Sequence, residues 1–176
     1  SGLIHRDLKP DNVLVAEGPG KQPQVKVLDF GLARTIDPGS ESDGLALSLD
    51  GQAVGTWEYM SPEQARGDRQ RVDEQSDVYS LGVTLYELLV GAKPFDFTGQ
   101  GSATVQRRIE QEEPPRPEAK LQSLGDAARR IAENRGTTVE RLRRELRSAL
   151  EWIIRRAMEK EACRRYPSPE RVAEDL

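Results

Sequence analysis

Asp7, Lys9, Asn12 and Asp29 are the residues whose types and spacing could do chemistry. An amide oxygen and a carboxylate brought together from Asn12 and Asp29 make a hard-oxygen site suited to Mg²⁺, a cation that keeps several waters and shares its shell with substrate phosphates. Beside such a metal, Asp7 can accept the proton of an incoming hydroxyl. Lys9, two residues on, steadies the charge on a phosphoryl group in flight. Phosphoryl transfer needs little else, because its catalysis is mostly positioning and charge stabilisation.

Two short apolar runs must position these side chains. Residues 13–15 and 25–28 are β-branched-rich and of strand length, and Gly18-Pro19-Gly20 between them supplies turn chemistry, so the spacing predicts a hairpin. Closing it brings Asn12 beside Asp29.

The run His5-Arg6-Asp7-Leu8-Lys9-Pro10-Asp11-Asn12, followed by Asp29-Phe30-Gly31 and then Ser61-Pro62-Glu63, resembles the catalytic half of a protein kinase. One such triplet would be weak; three in this order and at this spacing are specific. Lys9-Pro10 is similar to the Ser/Thr-specific branch. The resemblance implies that Asp7 is the catalytic base, Lys9 a phosphate contact, and Asn12 and Asp29 the ligands of Mg²⁺. ATP is then the phosphoryl donor, with Leu14 as the apolar floor beneath its adenine. His5 taken alone is a structural hydrogen-bonder. Arg6 is the residue that, in the family, pairs with a phosphate on the activation segment, here residues 32–63, where Ser40, Ser42 and Ser48 are the candidate acceptors. Thr56 would hydrogen-bond toward Asp7 and Lys9. Trp57 departs from the pattern, since many bacterial relatives carry Pro there, and this bears on acceptor preference rather than on chemistry. Glu63 would pair with Arg165 of Arg165-Tyr166-Pro167, and Asp77 would hold the backbone around His5 and Arg6.

With 176 residues the chain has the length of one domain, and only Ser1 to Ile4 precede the catalytic loop. The expectation is a C-terminal lobe, residues 1–176, without the N-terminal lobe that supplies the glycine-rich loop, the strand lysine and the helix glutamate. That lobe is then the first partner this chain needs, and the chain by itself is expected to be inactive. The single cysteine, Cys163, allows no internal disulfide and suits a reducing, cytoplasmic setting. No apolar run is long enough for a membrane span, so no membrane contact is expected of this segment, although the full-length protein could be anchored elsewhere. The net charge of −4 hides an asymmetry: residues 126–165 carry twelve Lys/Arg against seven Asp/Glu. Interleaved acids and few aromatics favour a salt-bridged helix surface over a nucleic-acid interface.

Beyond the loop, residues 74–90 follow helical spacing, with Val78, Leu81, Leu85 and Leu88 on one stripe and Val83, Tyr86 and Leu89 widening it into a buried helix closed by Gly91. An amphipathic helix is predicted over residues 102–111, with Val105 and Ile109 inward, ended by the Pro-rich stretch 112–117. Another helix runs from Gly125 to Gly136. Thr137 and Glu140 form a capping-box pattern for a helix carrying Leu142 and Leu146. Ser148 and Glu151 stand at the same spacing, so the stripe of Leu150, Ile153, Ile154, Ala157 and Met158 either continues that helix or starts a separate one, and Ser168-Pro169-Glu170 caps the last.

The fold class expected is therefore α+β and protein-kinase-like: a mainly helical C-lobe with one small hairpin, its helical part spanning residues 74–176. The function expected is transfer of the ATP γ-phosphoryl group to Ser/Thr hydroxyls of protein substrates. Two rivals stand beside it. A pseudokinase or scaffold would keep the fold for docking, against which the intact Asp7, Lys9, Asn12 and Asp29 argue. A small-molecule kinase would have no use for the peptide-docking features around Thr56 and Ser61-Pro62-Glu63.

Overall fold

The computed structural model describes residues 4–28, 57–147 and 149–176. Among these residues, strands β1 (Val13–Glu17) and β2 (Pro23–Val27) precede the helices α1 (Pro62–Ala65), α2 (Glu74–Val90), α3 (Ser102–Gln111), α4 (Pro117–Ser123), α5 (Asp126–Asn134), α6 (Val139–Leu146), α7 (Ala149–Ala157) and α8 (Pro169–Asp175).

The hairpin forms as its turn residues predict. The strands are antiparallel, with Val13 opposite Val27 and Val15 opposite Val25. Leu28 N–H donates to the Asn12 carbonyl at 2.8 Å, extending the pairing to the position next to residue 29. Period-2 alternation places Val13, Val15, Val25 and Val27 on one face. Val15 and Val25 are 66% and 62% exposed, and Leu14 and Leu28 are also exposed.

Helix α2 is the axis of the helical part. Asp73 caps it, accepting from Gln75 N–H at 2.8 Å, with Ser76 completing a capping box, and Gly91 ends it in the left-handed region at φ 78°. A residue with a Cβ resists that conformation, which is why glycine stops the helix there. Tyr79, Val83, Tyr86 and Val90 of α2 pack with Leu121 of α4, Ala128 and Ala132 of α5, Leu142 and Leu146 of α6, and Ile154 and Met158 of α7 and its end. A second cluster joins Val78 to Ile153, Ala157, Tyr166 and Val172.

The closest approach is at Gly82, where an added Cβ would lie 2.8 Å from Met158 Cγ and 2.9 Å from Ala157 Cβ. Alanine favours helix by up to ~1 kcal/mol over glycine, yet overpacking a tight core costs about 1–3 kcal/mol. Gly82→Ala is therefore expected to lower the denaturation midpoint; a midpoint equal to or above wild type would show that α2 and α7 can part at no cost.

The structure corrects four expectations. Leu88, placed on the buried stripe, is 62% exposed, because the second cluster that takes Val78, Leu81 and Leu85 of that stripe does not extend to it. Thr137 does not cap α6: Thr138 does, its hydroxyl accepting from Arg141 N–H at 3.2 Å, while Thr137 Oγ1 is buried without a partner among the described residues. Ser168 stands at the N-cap of α8 without accepting a backbone hydrogen bond. Helix α4 was not anticipated, since the prolines before it read only as a break. Pro117 in fact starts the helix, where its missing N–H costs nothing. Glu118 then ties α4 to α6 through Arg143 and Arg147, and these guanidinium hydrogen bonds hold its carboxyl down at about 2. Other members of the basic stripe are paired too, as in Arg141–Glu145 and Arg164–Glu161. No helix among the described residues is long and apolar enough to cross a membrane.

Candidate active site

The loop bearing Asp7 is held by helix α2. Asp77, in the first turns of that helix, accepts from His5 N–H at 2.7 Å and from Arg6 N–H at 2.8 Å. Arg6 needs this grip, for its φ of 68° is left-handed, a conformation that costs a non-glycine residue on the order of 1–3 kcal/mol unless its surroundings fix it. His5 is buried and works in both directions. Its Nδ1 accepts from Asp7 N–H at 3.3 Å, which leaves Nε2–H to donate to the Leu28 carbonyl at 2.8 Å. One imidazole thus ties the loop to the end of the hairpin.

Three of the expected functional side chains meet here. Lys9 Nζ lies 3.0 Å from Asp7 Oδ2, and Asn12 Nδ2 donates to the Asp7 carbonyl at 2.7 Å and to its Oδ2 at 3.2 Å. Asn12 is buried, in a turn of 3-10 helix (Pro10–Asn12) that leads straight into β1, whereas the Asp7 side chain is half exposed. A carboxylate with one oxygen steadied and an open approach is suited to take a proton from a substrate hydroxyl. Since its nitrogen is committed to Asp7, Asn12 offers a cation its Oδ1, a hard oxygen of the kind Mg²⁺ takes. Among the described residues no cluster of three or more His, Cys, Asp or Glu could hold a metal. Leu14 is 47% exposed on the hairpin. Asp29, Thr56, Ser40, Ser42 and Ser48 lie outside the described residues.

A second grip comes from α1. Glu63 is buried and faces Arg165 in a two-pronged pair, Nη1 to Oε1 at 2.7 Å and Nη2 to Oε2 at 2.9 Å. Arg165 also donates to the carbonyls of Glu159, Lys160 and Gln75, and Ser76 donates to Glu63 at 2.5 Å. Burial by itself pushes the Glu63 carboxyl up, but the Arg165 guanidinium and the Ser76 hydroxyl outweigh it and hold the group below its ordinary range. Trp57 is buried against Ala65, Val105 and Ile109, so it joins the segment before α1 to α3. Tyr59 is pushed up by burial and by its hydrogen bond to Glu87.

The match to a protein-family model decides what this arrangement belongs to: the protein kinase domain, over residues 1–171. The chain belongs to the protein kinase domain family. Within it, the chain is similar to bacterial serine/threonine kinases: 44% identical over 124 residues to serine/threonine-protein kinase pkn3 of Myxococcus xanthus, covering 69% of this chain and 22% of that protein. It is 39% identical over 154 residues to serine/threonine-protein kinase PknB of Mycobacterium tuberculosis, covering 83% of this chain and 23% of that one. The crystal structure of the Mycobacterium tuberculosis PknI kinase domain, a double mutant, shares the fold with a TM-score of 0.52 at 21% identity, over 98% of this chain and 44% of that one. The chain thus spans less than a quarter of the length of these two curated relatives, and its mainly helical fold with one hairpin is that of a kinase C-lobe.

Sequence reasoning missed two residues of this candidate site. Ser76 supports Glu63, and nothing in its surroundings in the sequence marks it. Gln64 donates from Nε2 to the Arg6 carbonyl at 2.7 Å. Its signal was present, because Ser61 and Gln64 stand at capping-box spacing, and the box does form at the start of α1.

Proposed function

We propose that residues 1–176 are the catalytic loop, activation segment and helical lobe of a serine/threonine protein kinase, which transfers the γ-phosphoryl group of Mg²⁺-ATP to Ser or Thr hydroxyls of protein substrates in the cytoplasm. The observation that carries this reading is the Asp7 carboxylate, open on one side, with Lys9 at 3.0 Å and Asn12 at 3.2 Å, on a loop fixed by Asp77. Asp7 takes the proton of the substrate hydroxyl. Lys9 sits where it can meet the negative charge of the transferring group, and Thr56 is assigned to align the acceptor. Asn12 and Asp29 hold the metal, which when bound offsets phosphate charge. Leu14 offers apolar surface to the adenine. Arg6 is the partner for a phosphate on Ser40, Ser42 or Ser48.

The test is phosphorylation of a protein substrate by the full-length protein with Mg²⁺-ATP, the product residues identified by mass spectrometry. Phosphoserine or phosphothreonine is expected. Binding of ATP with no transfer to any acceptor would instead support the scaffold reading.

A further inference from the structure

The peptide unit joining Arg6 to Asp7 is held at both of its polar ends. Its N–H donates to His5 Nδ1 at 3.3 Å, and its carbonyl accepts from Gln64 Nε2 at 2.7 Å. That peptide sets the direction in which the Asp7 side chain leaves the backbone. Asp77 holds only the two amides before it. Gln64 is therefore the one described side chain that reaches this carbonyl from a different part of the chain, 58 residues along.

The other end of the same amide is also engaged. Gln64 Oε1 accepts from Ser61 N–H at 3.0 Å and from the Ser61 hydroxyl at 3.1 Å, and Gln64 N–H donates to Ser61 Oγ at 3.4 Å. One planar amide thus spans the N-cap of α1 and the peptide carrying Asp7. We propose that Gln64 is a positioning residue that couples formation of the Ser61-Pro62-Glu63 turn to the aim of Asp7, so that the carboxylate is correctly directed only when α1 is capped. The coupling follows from the chemistry of the group. An amide cannot rotate its oxygen onto Ser61 without also fixing where its nitrogen points. This inference rests on the reading of Asp7 as the base, but its geometry does not.

Gln64→Glu separates the two contacts. A glutamate in this position still accepts from the Ser61 N–H, as in the ordinary capping box, but it has no N–H to give Arg6. Gln64→Met keeps the length and loses both contacts. In the full-length protein, Gln64→Glu is expected to lower kcat about ten-fold through misdirection of the base, with the KM for ATP and the melting temperature unchanged, and Gln64→Met to lower kcat equally while also destabilising α1. Hydrogen exchange measured by mass spectrometry should rise at residues 5–8 in both variants and at residues 61–66 in Gln64→Met alone. Unchanged exchange at residues 5–8 in Gln64→Glu overturns the inference, as does a kcat within two-fold of wild type alongside an active parent. An inactive parent whose residues 5–8 still loosen in Gln64→Glu would leave the strap established and overturn the kinase reading instead.

Discussion

Asp7→Asn in the full-length protein should cut turnover by ~10²- to 10⁴-fold, the usual loss when a positioned general base is removed. The substitution keeps size and shape, so the Asn12 contacts to the backbone carbonyl and the His5 contact to the backbone amide survive. What disappears is the proton acceptor and its ion pair with Lys9. Nucleotide affinity should hold, because the metal ligands are untouched, whereas Asp29→Ala should weaken Mg²⁺-ATP binding as well. Calorimetric titration with Mg²⁺-ATP beside a steady-state assay separates the two outcomes. Turnover within a few-fold of wild type for Asp7→Asn would remove Asp7 from the reaction.

The second large effect concerns the fold around α1. Arg165→Met leaves Glu63 buried with no cation beside it and only the Ser76 hydroxyl and its own backbone N–H to satisfy it, and breaking one side of a buried ion pair costs about 3–5 kcal/mol. That is a large share of the 5–15 kcal/mol by which domains are usually stable. The double variant Glu63→Leu with Arg165→Met should recover much of the loss, since no charge is then stranded. Acid gives an independent check. The folded carboxyl sits below its unfolded value, so its stabilisation is complete above the ordinary carboxylate range, ~4.3, and fades as pH falls below it. In Arg165→Met the largest lowering influence is gone, and burial pushes the group up against the remaining Ser76 hydrogen bond. The gap in denaturation midpoint between wild type and Arg165→Met should therefore shrink from pH 7 to pH 3. A gap that stays constant would place the loss in packing rather than in charge.

The legible parts of this chain were those where one local pattern decides. Glycines and prolines wrote the hairpin turn and the end of α2, and helical spacing found α2 and α3 with their inward residues Val105 and Ile109. The motif residues Asp7, Lys9 and Asn12 were legible by type and spacing, and the Glu63–Arg165 and Asp77–loop pairings by resemblance. Failures came where a choice between neighbours is made by tertiary contacts. Thr137 has the better local pattern, with Glu140 three residues on, yet Thr138 is the cap. Leu88 and Leu89 both fit an apolar stripe, yet only Leu89 packs against the main cluster, while the carbonyls of both are taken by Arg135. The Gln64 strap was half legible: the Ser61–Gln64 spacing marks its cap, but its second partner is a backbone carbonyl, which has no signature in a sequence.

The valine face of the hairpin bears on how the molecule comes apart. Two strands alone are marginally stable in water, and here Val15 and Val25 remain open to it, while α2, α4, α6 and α7 share a continuous buried cluster. Opening free energy is therefore uneven along the chain. The strand pair, with the loop anchored to it through His5 and Leu28, occupies the shallow end, and the helices the deep end. A neighbouring domain seated on that face would add its binding free energy to the shallow end. It would protect residues 4–28 from exchange long before it moved the melting of the helices, so occupancy of this face is better read from local protection than from a melting temperature.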